Sequence, residues 1–204
     1  AGGGDIGGYL VAVAIGVLLQ GLVAHSVNEI ADWRSGTDRD PAPRVISGGS
    51  KVIASGLLGP RALAWTGAAA AAAAAALGLV AAARWGWVLV LYGLGGLAGA
   101  VLYTLPPVRA AYRPFGGEAV AFACIWGCVT GAYVLQRGTL SGAAALVGIA
   151  YASSCVAMLM MHHYLDRGPD SRAFPPKTTT IVLLGRPGRR YAVAWAAIAL
   201  AGAA

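Results

Sequence analysis

Oxygen-bearing side chains one helical turn apart occur twice in this chain of 204 residues. The first set lies in His25-Ser-Val-Asn28-Glu29-Ile-Ala-Asp32-Trp-Arg-Ser-Gly36-Thr37-Asp38-Arg-Asp40. Asn28 and Asp32, four apart, share a helix face. Asp38 follows a Ser-Gly break that can fold the chain back. The second set lies in His162-His163-Tyr-Leu-Asp166-Arg167-Gly-Pro169-Asp170-Ser-Arg172. Asp166 and Asp170 have the same spacing, and Pro169 is expected to kink or end the helix between them. Neighbouring carboxylates at the end of an apolar helix repel each other and lose hydration. A divalent cation resolves both costs. Mg²⁺ prefers oxygen ligands and is commonly held by one or two carboxylates together with substrate phosphates. Two such sets facing each other would make a diphosphate site. The competing arrangement is a solvated loop in which these acids pair with Arg34, Arg39, Arg167 and Arg172.

Basic residues suited to an anion follow turn-forming sequences. Lys51 comes after Gly48-Gly49, Arg109 and Arg113 after Tyr103-Thr-Leu-Pro106-Pro107, and Lys177 after Pro175-Pro176. Lys or Arg can neutralise the charge of a departing diphosphate. Each can equally be a snorkelling topology determinant.

The elements that must position these residues are membrane spans. The chain is 58% hydrophobic and 11% charged, against about 25% charged for an ordinary soluble domain. Too little polar surface exists to cover the apolar surface in water. Runs of about 20 apolar residues suit spanning helices, and helices satisfy their own backbone in lipid. Five such runs and part of a sixth are predicted: Tyr9–Val27, Leu63–Ala83, Trp85–Leu105, Ala119–Gln136, Leu140–Met161 and Tyr191–Ala204. The fold class is thus all-α, a multi-pass transmembrane bundle read as a single domain over residues 1–204. Gly95-x-x-x-Gly99 and Gly127-x-x-x-Gly131 can let helices approach closely. Trp85 and Trp87 suit an interfacial belt.

Numbering the gaps between runs separates two faces. Residues 28–62, 103–118 and 162–190 share one face and hold 13 of the 15 Lys and Arg. The positive-inside rule makes that face cytoplasmic, in the cell membrane. Seven of the eight acids lie there too, Asp5 being the other. The net charge of +7 therefore reflects topology and anion binding, not nucleic acid. Cys124, Cys128 and Cys155 lie in apolar stretches without metal-site spacing and read as packing residues. Soluble-enzyme signatures such as a Walker loop or H-E-x-x-H are absent.

Three segments together resemble the UbiA superfamily of intramembrane prenyltransferases. Asn28-x-x-x-Asp32-x-x-x-Gly36-x-Asp38 resembles the first aspartate motif in its menaquinone-type form, that of 1,4-dihydroxy-2-naphthoate prenyltransferases. Tyr103-Thr-Leu-Pro-Pro-Val-Arg109-Ala-Ala-Tyr112-Arg113 resembles the family's tyrosine–proline loop. Asp166-x-x-x-Asp170, with Lys177-Thr-Thr and Leu184-Gly185, resembles the second aspartate motif. The resemblance implies nine helices in a whole protein, of which this chain would supply the second to the seventh. It also implies Mg²⁺ as cofactor and a polyprenyl diphosphate with an aromatic or lipid acceptor as partners. Asn28, Asp32, Asp38, Asp166 and Asp170 would hold metal. Lys51, Arg109 and Lys177 would grip the diphosphate. Asp32, Asp166 and Tyr103 would be the catalytic residues, Tyr103 touching the diphosphate or facing an allylic cation. Three positions depart from the pattern: Glu29 stands where an Asp is usual, His162-His163 where an Asn is common, and Thr178 where a basic residue is expected. His162 and His163 become candidates for contact with the acceptor, or a plain interfacial pair. The first expectation is transfer to a dihydroxynaphthoate-like acceptor. The alternatives are a membrane terpene cyclase using the same diphosphate site, a lipid-type geranylgeranyl transferase, and a transporter or non-catalytic membrane protein.

Overall fold

The computed structural model describes residues 4–39 and 49–203; Asp40, Gly48 and Ala204 lie outside the described residues. All regular structure among the described residues is helical. Helix α1 spans Ile6–Ser35, α2 Pro60–Trp85, α3 Leu89–Leu102, α4 Gly116–Arg137 and α5 Gly142–Arg172. A short α6, Thr180–Leu184, precedes α7, Gly188–Ala203. A 3₁₀ turn, Ala110–Tyr112, lies between α3 and α4.

Four helices, α1, α2, α4 and α5, are long and apolar enough to cross a membrane. The predicted runs Trp85–Leu105 and Tyr191–Ala204 yield shorter helices, of 14 and 16 residues. Turn hydrogen bonds lengthen α3 at both ends: Leu89 N–H donates to the Gly86 carbonyl and Leu105 N–H to that of Val101. Elsewhere the helices outrun the apolar runs. Helix α1 continues to Ser35 and α5 to Arg172, so Asn28, Asp32, Asp166 and Asp170 stand on helices and not in loops. Pro169 does not end α5. Its ring removes the amide donor to the Leu165 carbonyl, and the helix runs only three residues further, to Arg172. Within α1, Val17–Ala24 is wound as a π-helix, a form that commonly marks functional sites.

Burial is arranged as lipid requires. Apolar side chains such as Ile6, Trp65, Leu91 and Val193 face outwards, whereas Asp32, Lys51, Glu118, Asp170 and Lys177 are buried. Helices α1, α2 and α3 pack together through Val23, Ala70 and Ala100. Helix α4 joins this group to α5, which packs closely on α7. One glycine of each predicted pair makes the approach. A Cβ on Gly99 would collide with Cys124 Sγ of α4, and one on Gly131 would lie 2.9 Å from the Tyr92 ring of α3. Gly95 and Gly127 face open space. Without a hydrophobic force between helices in lipid, such close contacts carry the association.

The two ends of the bundle differ. At one end, Asp5 caps α1 by accepting from Gly7 N–H. Its other carboxylate oxygen accepts from Trp85 Nε1 at 2.8 Å. Its backbone exchanges two hydrogen bonds with the Gln136 amide. The opposite end gathers the buried charged residues, Glu29, Asp32, Asp38, Lys51, Glu118, Asp170 and Lys177.

Candidate functional site

The two acidic motifs meet at Lys177. Its Nζ donates to Asp32 Oδ2 at 2.9 Å and stands 3.9 Å from Asp170 Oδ1. The second oxygen of Asp32, Oδ1, accepts from the Tyr112 hydroxyl at 2.8 Å. Backbone bonds hold this convergence. Lys177 N–H donates to the Asp170 carbonyl and Phe174 N–H to the Ser35 carbonyl, docking the chain after α5 onto the end of α1. Gly36, at φ 88°, ends α1 in the left-handed region that glycine adopts freely. The reversal lets Asp38 N–H reach the Asp32 carbonyl, as the Ser-Gly break predicts. Arg34 and Arg39 are not the partners of Asp32; Arg39 donates to the Trp33 and Arg34 carbonyls.

The cations are gathered around the Tyr112 ring, with Arg109 Cζ 4.4 Å and Lys177 Nζ 5.6 Å from its centroid. Both are within cation–π range. Burial, with Asp32 beside it, pushes the Tyr112 phenol up to about 12, so it stays a donor. Burial disfavours the Lys177 ammonium, but the Asp32 and Asp170 carboxylates more than offset this and hold its pKa above the ordinary value.

Lys51 is positioned by a residue that reads from sequence only as a departure. Glu29 accepts from Ser50 Oγ at 2.6 Å and from the Lys51 and Ile53 amides. A Cβ on Gly49 would come within 3.3 Å of Asp38 Oδ2 and 3.4 Å of Glu29 Oε2. Glu29 thereby fixes the segment carrying Lys51 beside Asp38. Lys51 (φ 54°), Arg109 (φ 47°) and Phe115 (φ 62°) are non-glycine residues in the left-handed region. Such backbone strain concentrates at functional sites.

Asn28 Nδ2 donates to Thr104 Oγ1 at 3.4 Å, which leaves the side-chain oxygen as the atom a cation would take. Asp166 is half-buried one turn before Asp170, and Asp170 lies within electrostatic reach of Asp32, Asp38 and Asp166. Tyr103 stands among Lys177, Asp32, Glu118 and Asp170. His163 is buried, and a Cβ on Gly117 would lie 3.7 Å from His163 Cε1 and 3.8 Å from Tyr103 Cε2. His162 is half-buried.

A cation fits this donor set on one condition. Both carboxylate oxygens of Asp170 are buried without a hydrogen bond, a costly state that a cation would relieve. Among the described residues, however, no three acidic, His or Cys side chains form a metal-binding group. A cation held here would therefore need substrate oxygens to complete its coordination shell, as Mg²⁺ commonly does.

The model of the UbiA prenyltransferase family matches residues 1–204. The chain belongs to that family. Neither a curated relative nor a solved structure matches it. UbiA membership implies membrane prenyltransferase activity and agrees with the apolar helices of a membrane protein. Tyr112 and Glu29, to which the motif spacing gives no role, are joined to Asp32 and Lys51 in this UbiA bundle. The only signal for them was their position within the motifs.

Proposed function

We propose that the chain transfers a prenyl group from a polyprenyl diphosphate to an aromatic, dihydroxynaphthoate-like acceptor within the membrane. The reaction belongs to menaquinone-type quinone biosynthesis and takes place at the cytoplasmic face of the cell membrane. The observation that carries this reading is the meeting of Asp32, Asp170 and Lys177, drawn from both aspartate motifs. The spacing from Asp32 through Gly36 to Asp38 favours the menaquinone-type acceptor. The basic loops at the same end favour the cytoplasmic side.

Asn28, Asp32, Asp38, Asp166 and Asp170 are the residues that would hold Mg²⁺. When bound, the ion supplies Lewis-acid neutralisation of the diphosphate oxygens. Lys177, charged at all physiological pH values, gives its ammonium to the departing diphosphate. Lys51 and Arg109 add charge from two other segments, so the leaving group is gripped from several sides. The Tyr112 hydroxyl stays protonated and orients Asp32. Tyr103 presents a ring face to the allylic carbon, where positive charge develops. The apolar surroundings exclude water that would quench it.

Purified protein given Mg²⁺ and geranylgeranyl diphosphate should release diphosphate, and EDTA should stop the release. Asp32→Ala and Asp166→Ala should each abolish it; turnover retained in both sinks the metal-site reading. Adding 1,4-dihydroxy-2-naphthoate should give a prenylated naphthalene product. A cyclic hydrocarbon formed without acceptor would instead identify a terpene cyclase. Transfer to glycerol phosphate alone would identify a lipid-type enzyme.

A further inference from the structure

A second group of buried polar side chains stands beside the diphosphate site. Glu118 occupies the first turn of α4 and is 2% exposed, yet its Oε1 has no hydrogen-bond partner. His163 of α5 is 6% exposed, and its Nδ1 has none either. Trp195 Nε1 of α7 is also buried and unpartnered. The Tyr191 hydroxyl lies close enough to Glu118 and the Trp195 indole to interact with both, but it closes a hydrogen bond with neither Glu118 Oε1 nor Trp195 Nε1. Tyr191 and Trp195 meet edge to face at 6.2 Å, and Phe122 stands 5.8 Å from Trp195.

Unmet hydrogen bonds on buried groups are costly, and a native fold rarely keeps several together without a use. These lie on three helices. Gly117, next to Glu118, packs with His163 and Tyr103 on one side of its backbone. Tyr103 is within reach of Glu118 and also of Lys177, Asp32 and Asp170. It therefore stands between the two groups.

We infer that Glu118 is the acceptor-recognition residue, its Oε1 accepting a hydrogen bond from a ring hydroxyl of the aromatic acceptor. The inference rests on the prenyltransfer reading above. A ring hydroxyl is the matching chemistry for three reasons. A carboxylate can only accept, so the ligand must donate. The Tyr191, Trp195 and Phe122 rings favour a flat aromatic partner. Hydrogen bonding to a carboxylate also enriches the ring in electrons, which electrophilic attack requires. Position fits as well: Tyr103 reaches both Glu118 and the Lys177, Asp32 and Asp170 group. His163 Nδ1 and Trp195 Nε1 offer further polar contacts to the same ligand.

The test measures binding apart from turnover. Tryptophan quenching by 1,4-dihydroxy-2-naphthoate gives acceptor affinity, and the thermal shift with geranylgeranyl diphosphate and Mg²⁺ gives donor binding. Glu118→Gln should weaken acceptor binding about tenfold or more, as expected when a site built for a hydroxyl loses its partner, and should leave the donor shift unchanged. Glu118→Asp should fall between the two. The 1,4-dimethoxy analogue, which lacks hydroxyl donors, should bind wild-type protein at least about tenfold more weakly. This ligand comparison holds even if a variant does not fold. Equal affinity of the two naphthoates for wild-type protein overturns the inference. So does unchanged acceptor affinity in Glu118→Gln, or equal loss of donor and acceptor binding. Intact, Glu118-dependent naphthoate binding without any prenylated product would instead count against prenyltransfer to this acceptor.

Discussion

Lys177 Nζ stands 2.9 Å from Asp32 Oδ2, a contact between residues 145 positions apart in the chain. Both side chains are almost fully buried. This pair locks the end of α1 to the segment after α5, and so brings the two aspartate motifs together. Removing one member of a buried pair leaves an uncompensated charge and costs about 3–5 kcal/mol. Lys177→Met should therefore lower the midpoint of thermal unfolding in detergent markedly. The double variant Lys177→Met/Asp32→Asn should recover part of that loss, because no lone charge remains. A double variant no more stable than Lys177→Met would show that the two residues are not coupled.

Asp170 predicts an opposition between stability and ligand response. Its two unpartnered oxygens carry a desolvation cost of about 1–3 kcal/mol or more. The 3.9 Å approach of Lys177 offsets only part of this, since that ammonium already donates to Asp32. Asp170→Asn should raise metal-free stability by about 1 kcal/mol. It should also abolish the thermal shift produced by Mg²⁺ with geranylgeranyl diphosphate. Differential scanning fluorimetry with and without these ligands checks both halves.

Alkaline pH separates Tyr112 from exposed tyrosines. Its folded pKa, about 12, lies above the unfolded value near 10. Its contribution is complete below pH 10 and is lost as pH rises towards 12. Lys177 has the same sign: its raised folded value keeps its stabilisation complete below the unfolded value near 10.4 and loses it above. Neither group should produce a pH dependence between 6 and 9. Phenolate absorbance at 295 nm should rise in an early and a late phase, and Tyr112→Phe should reduce only the late one.

The helix contacts distinguish glycines that look alike. Gly99→Val places a branched side chain where even a Cβ would collide with Cys124, forcing α3 from α4. Overpacking of this kind typically costs about 1–3 kcal/mol. Gly95→Ala meets nothing within 4 Å and gains helix propensity of about 1 kcal/mol. Unfolding midpoints should move down for the first and up or not at all for the second.

The apolar runs make the bundle legible from sequence, because length and hydropathy are properties of a single segment. The shared polar end was equally legible from the alternation of charged gaps. What escaped depends on neighbours from elsewhere in the chain. Gly95 and Gly99 are indistinguishable until Cys124 is placed against one of them. Tyr112 is one aromatic residue in a loop until Asp32, Arg109 and Lys177 surround it. Glu29 reads as a mere departure from the motif until Ser50 Oγ and the amides of Lys51 and Ile53 are found donating to it. The apolar runs also stop short of both motifs, because hydropathy falls where charges begin. Each helix continues further, since its hydrogen-bond ladder does not stop at the edge of the apolar run.

The π-wound stretch Val17–Ala24 gives the apolar half of α1 a task that its composition does not reveal. Each residue of an α-helix turns the next by about 100°. The wider winding changes the phase between Ile6–Gly16 and the turn that bears Asn28 and Asp32. Lipid is indifferent to which aliphatic side chain sits at its exposed positions, Val17 and Leu22, but the count of residues sets the compass bearing of everything downstream. Shortening this stretch by one residue, whichever one, would leave a good membrane span with its carboxylate aimed at the wrong neighbour.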